Sequence, residues 1–535
     1  EQVAYNNYYH EHCRLEEVPV YRKVRLEDIY EGIDLVFYES ENKELEYDLI
    51  VSPGADPGQI KMKVKYSSGY SLSEDGSLMI KSEINDLTIL KPKTYQDHKE
   101  NVIPSMYRMD QDGILSFEIA AYDEQKALII DPIVWVWGTL FGGESGEKFD
   151  VVKVDDENNI FCAGITLSWS NIATPGAHQE RYSEETDIIL TRFTDEGRRI
   201  WSTYYGGIDF EWVYDMEIDI NNDLIIGGVS YVKTGSHVIA TPGSHQPERA
   251  GKEDGILSKF SGGGKLLWAT FFGGSKTDWI NDLVTDLDGN IFICGFTVSD
   301  RNISTEGVYQ EEIYDQTDGF ISKFSSEGMQ IWGSYFGGER GDSFNNINLD
   351  KYGNIVLLGR TSSNENIATD GAFQDTIGGI MVPGDAFFAK IDNNGTRLMW
   401  STYYGGRYNE ADERGNFGIV IDSLNNYYFA FNSWSYQHED TLRLTTEGAH
   451  QRHNRFSPGY DNNASVLMAK FNDKGVRQWA TFYGGGLLDI IYDMKIDNNS
   501  NIWLCGSTNY NDLISTDDAF RKEYINKLPN GRTDD

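Results

Sequence analysis

The sequence predicts an all-β chain: a six-bladed β-propeller closed by an N-terminal strand in a three-plus-one arrangement, preceded by a β-sandwich-like domain. Three observations predict it. A tryptophan-to-Gly-Gly motif occurs six times: WGTLFGG from Trp137, WSTYYGG from Trp201, WATFFGG from Trp268, WGSYFGG from Trp332, WSTYYGG from Trp400 and WATFYGG from Trp479. The spacings are 64, 67, 64, 68 and 79 residues, and such a period marks a supersecondary unit that buries its face against the next copy. Between copies, apolar and polar residues alternate as in half-buried strands. Gly, Asn and Asp fall where short hairpins need left-handed backbone.

Residues 1–132 lack the repeat but read as further β structure, in IDLVFYES, LEYDLIV, IKMKVKY, SLMIKS, LTILKP, LSFEIAAY and ALIIDP. They form the predicted β-sandwich-like domain, with Pro132 at the junction and residues 133–535 forming the propeller. One full repeat reads as four strands. Trp212–Asp219 alternates, a turn at Ile220–Asn222 leads to Asp223–Ser230, and a long polar loop carries TPGSHQ (Thr241–Gln246). Gly255–Phe260, a Gly-rich turn and Lys265–Phe272 complete it, and four antiparallel strands per repeat are a propeller blade.

The first strands end at Asp155, Asp219, Asp286, Asp350, Asp422 and Asp497, and the third strands begin at Asp187, Asp254, Asp318, Asp385 and Ser465. Glu523–Gly531 fits a sixth third strand and its turn, with no fourth strand after it. Ile133–Leu140 is a fourth-type strand with no three before it, so it is expected to complete the blade begun at Asp489. Closure of this kind removes exposed sheet edges.

A formal charge of −38 over 535 residues argues against nucleic acid, whose phosphates call for Lys and Arg, and against an anionic membrane surface. No apolar run approaches the ~20 residues that span a bilayer as a helix. The sequence starts at Glu1 with no signal-like stretch, so an export signal is expected to have been removed or left out. Cys162, Cys294 and Cys505 occupy one strand slot in different repeats, too far apart to pair, and read as small buried hydrophobes. Cys13 stands alone.

The stretches YEGIDLVFY, LEYDLIVSPGADPGQI and ALIIDP, followed by the Trp-to-Gly-Gly units, resemble the N-terminal domain and repeats of SBBP (β-propeller repeat) proteins, over nearly the whole chain. The resemblance implies an exported bacterial protein, secreted or at the cell surface, without a settled biochemical activity. The sorting modules that members often carry are not visible here.

In a blade, the second-to-third and fourth-to-first connections share one face. Here they are the long, irregular ones, which makes that face the candidate working face. Four residues after the second Gly stand Glu147, Glu211, Asp278, Asp342 and Asp489, a ring of carboxylates that could hold a structural Ca²⁺, since that ion takes six to eight oxygens. Carboxylates capping their own turns account better for such recurrence. The first-to-second turns, such as DLDGN from Asp286, lack the length and terminal Glu of an EF-hand loop. His178, His245 and His450 share a slot with Tyr309 and Phe373, which reads as packing and not as zinc ligation. No nucleophile elbow, zinc helix or phosphate loop is present, and no other cofactor is called for.

The fifth repeat departs from the rest. Its fourth-to-first loop (406–417) is expanded, and the loop 433–463 carries Trp434, Tyr436, His438, His453, Arg455, Phe456 and Tyr460. With Tyr408, the residues Trp434, Tyr436, His453 and Tyr460 are candidate contacts for a protein or glycan, or they form a small core within the loops. The expected function is a non-enzymatic extracellular binding or scaffold protein whose partners are other surface or secreted proteins or glycans. The alternative is a carbohydrate-active hydrolase or lyase working through carboxylates on the propeller face.

Overall fold

The computed structural model describes residues 2–508 and 514 apart from short internal stretches, the longest of them 232–238, 411–416 and 455–463. Two compact units emerge, Glu1–Thr139 and Leu140–Asp535.

In the first unit, an antiparallel sheet runs in the order Val102–Ile103, Lys93–Tyr95, Leu128–Asp131, Leu45–Val51, Ile33–Glu39 and Lys23–Tyr30. The pair Ser105–Met109 and Leu115–Ile119 joins it around one core, in which Ile33, Val51, Leu115 and Leu128 lose all or nearly all contact with solvent. A further sheet runs Val134–Trp135, Leu87–Ile89, Leu78–Lys81, Gly69–Leu72.

That last sheet corrects one expectation. Val134 and Trp135, part of the strand expected to close the ring, pair instead with Ile89 and Thr88 within the first unit. The nearer open edge captures the strand, as neighbouring segments usually pair. The rest of the expected closing strand, apart from its last two residues, and the whole of Glu523–Gly531 lie outside the described residues.

The second unit is built of four-stranded antiparallel sheets in simple chain order, a propeller-like repeat. The first is Glu147–Val154, Ile160–Thr166, Asp187–Phe193 and Arg199–Tyr205. The second is Phe210–Ile218, Leu224–Tyr231, Glu253–Phe260 and Leu266–Phe272; the third runs from Asp278–Thr285 to Gln330–Phe336, the fourth from Asp342–Leu349 to Leu398–Tyr404, and the fifth from Gly418–Ile421 to Arg477–Tyr483. A sixth shows its first two strands, Asp489–Ile496 and Ile502–Thr508. The one α-helix among the described residues, His438–Leu444, lies in the long loop of the fifth repeat, where the sequence predicts only loop. Glu439 and Asp440 in its first turn suit the helix dipole.

Five of the cores in this unit are shared by two consecutive sheets, and a smaller one, with Ile172, Ile189 and Tyr204, lies within the first repeat. Ile188 and Leu190 of the first pack with Met216 and Ile226 of the second. Phe388 of the fourth stacks on Phe429 of the fifth with ring centres 4.0 Å apart. Of the repeat cysteines, Cys294 is buried, whereas Cys505, expected to be buried, is exposed on the last described strand; among the described residues only Asp489–Ile496 pairs with that strand.

The repeated tryptophan has a defined task. The Trp201 indole donates to the Gly262 carbonyl of the next sheet (3.0 Å), Trp268 to Ser326 (3.0 Å) and Trp400 to Asp473 (3.2 Å). In each case the acceptor lies in the turn between third and fourth strands of the following repeat. The glycine ending that turn has positive φ: +81° at Gly264, +79° at Gly328, +68° at Gly395 and +76° at Gly475. A Cβ there would strike the indole of the preceding repeat, at 2.8, 2.6, 2.6 and 2.8 Å respectively. Conformation and space therefore both demand glycine.

Two substitutions separate the two demands. Gly307 also has positive φ (+83°), but nothing stands near its absent Cβ. Gly307→Ala should cost about 1–2 kcal/mol from the backbone alone. Gly328→Ala should cost about 2–4 kcal/mol, because overpacking against Trp268 adds to it. Denaturant unfolding of both variants checks this; equal losses would mean that the indole yields freely.

Candidate functional site

The loops expected to form the working face are tied together by recurring polar contacts. Each carboxylate four residues past the second Gly accepts that glycine's N–H, at 3.0 Å for Glu147, 2.9 Å for Glu211, 2.8 Å for Asp278, 2.7 Å for Asp342 and 2.8 Å for Asp489. Each also takes a hydroxyl from the end of the second strand: Thr166, Ser230, Thr297, Ser363 and Thr508 in turn.

The fifth repeat has the same group. Glu410 accepts from Gly406 N (3.1 Å) and Ser433 Oγ (3.0 Å). It stands at the same offset in sequence, and the expanded loop after it hides the match. Six carboxylates, one per repeat, thus each accept an amide and a hydroxyl of their own repeat. Among the described residues no three His, Cys, Asp or Glu side chains are grouped to hold a metal ion.

A second carboxylate set comes from the third strands, and the glutamine of the TPGxHQ loops organises it. Gln246 donates to Asp254 (2.9 Å) and accepts from Gly273 N (3.1 Å). Gln310 does the same between Asp318 and Gly337, and Gln374 between Asp385 and Gly405. The first Gly of the pair is required here too: a Cβ on Gly206 would lie 2.7 Å from both Asp187 and Glu211 oxygens. The histidine beside the glutamine packs on rings, His178 edge-on to Phe260 (5.7 Å) and His245 to Phe324 (5.5 Å). Burial lowers the pKa of both.

Carboxyl groups of neighbouring repeats therefore meet in pairs away from water. Burial, with the neighbouring carboxylate adding to it, pushes Asp187 up to about 7 and Asp342 up to about 7. Burial likewise takes Glu211 to about 7, and Asp254 and Asp318 to about 6. Asp385 and Glu410 move the same way, from burial first. At the opposite end of the sheets, Asp219, Asp350 and Asp422 lie below the ordinary range: burial works to raise them, but hydrogen bonds from Lys259, Lys390 and the turn amides outweigh it.

An acid whose folded pKa exceeds its unfolded value binds more protons when folded, so stability falls as pH rises between the two values. The window here runs from about pH 4 to about pH 7. Stability should peak near pH 4 and drop by at least about 2 kcal/mol on going to pH 8; below pH 4 the lowered aspartates turn the curve down. Thermal melts across pH 4–8 test this, and Glu211→Gln should flatten the profile. A rise towards pH 8 would contradict it.

The fifth repeat gathers most of its expected contact residues. Tyr408 and Tyr436 stack with ring centres 4.6 Å apart at 24°, and their hydroxyls are bonded at 3.0 Å. Both are half-buried, as is Trp434, whose backbone N–H donates to Asn409 O (3.0 Å). His453 is exposed and bonded through Nδ1 to Thr441 of the helix (2.9 Å). Arg443 of the helix donates to Gly405 O (2.6 Å). Tyr460, Arg455 and Phe456 lie outside the described residues, and nothing is said of the side chain of His438.

A family described as Domain of unknown function (DUF7948) matches residues 1–133. A curated protein, the uncharacterized WD repeat-containing protein L264 of Acanthamoeba polyphaga mimivirus, is 21% identical over 461 residues, covering 73% of this chain and 32% of that one. The chain thus spans about a third of that relative. The relative's WD repeats accord with the propeller-like repeats seen here. Among solved structures, Hadza microbial sialidase Hz136 is 8% identical over 83% of this chain and 94% of its own, with a TM-score of 0.36. A protein of unknown function from Dyadobacter fermentans is 13% identical over 64% of this chain and 96% of its own, with a TM-score of 0.30. These two likenesses are too slight to bear on fold or activity.

Proposed function

We propose that this chain is a non-enzymatic binding or scaffold protein of the bacterial cell exterior, with six repeats closed into a propeller ring of SBBP type. The fifth repeat's loops are its recognition surface for a protein or glycan. One observation carries the reading: this repeat alone among the described ones inserts a helix, and it presents a half-exposed tyrosine stack held by backbone and side-chain bonds. The remaining loops are spent on the carboxylate and glutamine contacts common to the repeats. A preformed aromatic platform loses little entropy on binding, and tyrosine and tryptophan supply contact area with a polar handle.

A carbohydrate-active enzyme is the second reading, favoured by Asp385 and Glu410, two carboxyls raised together beside the same loops. Against it, Glu410 is buried and bonded to Gly406 and Ser433, the same structural bonds its counterparts make.

The triple variant Tyr408→Ala, Trp434→Ala, Tyr436→Ala should hold its melting temperature within a few degrees and lose its partner on a glycan array or in co-purification. Truncating aromatic anchors at an interface is worth ~2 kcal/mol or more each. Unfolding of the variant would make the cluster a loop core instead. Polysaccharide turnover abolished by Glu410→Gln would replace binding with catalysis.

A further inference from the structure

The first strands of the repeats carry a second pattern, independent of the loop face. Five of them contain a β-bulge at one place, with register shifts at Phe149/Val151, Val213/Asp215, Ile280/Asp282, Phe344/Asn346 and Ile491/Asp493. Bulges re-aim side chains and concentrate beside sites. The bulged strands converge: residues from the first strands of all six sheets line one cavity of about 740 Å³, within the ~300–1,000 Å³ range of small-molecule sites.

Part of the lining is aromatic. Tyr214 stacks on Trp279 (5.7 Å, 23°), and Trp279 packs on Phe296 (5.3 Å). All three rings are half-buried and line the cavity. The Trp279 indole N–H is bonded to Glu253 at 2.7 Å. Its one polar atom is therefore spent and its ring is held in place, so it offers the cavity apolar surface. Rings fixed in this way lose little freedom when a ligand settles on them.

The charged part of the lining is compensated in pairs. Lys148 bonds Asp150, Lys153 bonds Glu217 and stands 3.9 Å from Asp215, and Lys495 bonds Asp493 at 3.2 Å. Asp282 accepts from Ile347 N (2.8 Å) and Asn346 Nδ2 (3.1 Å), and burial pushes it towards its neutral form. Arg360 Nε donates to Ser343 Oγ (3.1 Å). Such a wall has little spare charge with which to select a cation or an anion. Its ion pairs are nevertheless open to a ligand: 27% of the Glu217 side chain and 19% of Lys153 stay exposed, as do 53% of Asp493 and 65% of Lys495.

A carboxylate beside an ammonium offers an acceptor and a donor a few ångströms apart. A hydroxyl both gives and takes a hydrogen bond, so neighbouring hydroxyls on one ring can satisfy both members of a pair. The C–H face of the same ring suits an aromatic surface, whose gain comes from apolar area removed from water. Rings and paired charges together describe an uncharged molecule with apolar faces and a hydroxyl rim.

We propose that this cavity is a non-catalytic binding site for a neutral oligosaccharide. Sugar rings lie on the Tyr214, Trp279 and Phe296 surface, and their hydroxyls bridge the Lys153–Glu217 and Lys495–Asp493 pairs. The site is separate from the fifth-repeat loops and does not rest on the reading of those loops.

Calorimetric titration of the full chain with cellotriose, maltotriose and xylotriose tests it. At least one of the three should bind at a single site, with an affinity that salt leaves unchanged, because no net charge is paired. Trp279→Ala and Asp493→Ala should each weaken binding at least tenfold. Asp493 belongs to an exposed ion pair, so its variant should keep the melting temperature, which separates lost ligand contacts from lost fold. The triple variant Tyr408→Ala, Trp434→Ala, Tyr436→Ala should bind the sugar as the parent chain does. Binding by none of the three sugars would overturn the proposal, as would binding indifferent to both cavity variants. Tighter binding of trigalacturonate or spermidine in the cavity would also overturn it. Loss of sugar binding in the triple variant alone would move the sugar to the loops, overturning this proposal while supporting the loop reading.

Discussion

The second unit rests on an indole laid across a turn. The tryptophan of one repeat's fourth strand packs on the glycine that ends the turn between the third and fourth strands of the next, and in three of the four described cases its N–H is bonded to that turn's carbonyl. A buried aromatic side chain removes 150–250 Å² from water, and here it does so across a junction that the apolar cores also span. Strand length, turn type and sheet spacing all have to agree with this contact. The first-strand bulges and the Gly-Gly loops lie on sheets whose spacing is already set by it.

Much of the repeat was legible in the sequence because its signals are local. Alternation placed the strands, and Asp-led turns such as DLDGN proved to be hairpins whose aspartate accepts amides of its own turn, as Asp286 does from Asp288 and Asn290. What resisted reading was whatever depends on residues far apart in the chain. The third-strand aspartates looked like strand openings; only the fold shows that Gln246 and Gln310 hold them to the Gly-Gly loops. Glu410 carried the right offset but sat before an atypical loop. The helix at His438–Leu444 is a single short element in a β chain, and its anchor, Arg443 to Gly405, is tertiary. Alternation says that Asp215 and Asp282 share a kind of face, not that six such faces meet around one cavity. The pairing of Val134–Trp135 with Leu87–Ile89 was missed for a related reason: a short strand goes to whichever edge is open nearby.

The molecule separates its constant from its variable parts by depth along each first strand. At the strand's beginning a carboxylate, a glycine amide and a hydroxyl repeat in every sheet. Past the bulge, five of these strands carry valine, aspartate or asparagine. The first set costs desolvation, visible in raised carboxyl pKa values, and it keeps the loops in register. Buried oxygens without donors occur in both sets, at Asp342 in the first and at Asn345 and Asn346 in the second.

The indole contact also has a direction. Trp201, Trp268, Trp332 and Trp400 each lie against the turn of the repeat that follows in the chain, not of the one before. During synthesis a repeat therefore leaves the ribosome with its ring still uncovered, and the ring is sheathed only when the next turn emerges. The same polarity makes the unit open to tandem duplication: an added copy arrives with both a ring to give and a turn to receive one, so the existing junctions need no new chemistry. Growth by whole repeats is cheap for such a chain, whereas loss of part of one strands an indole in water.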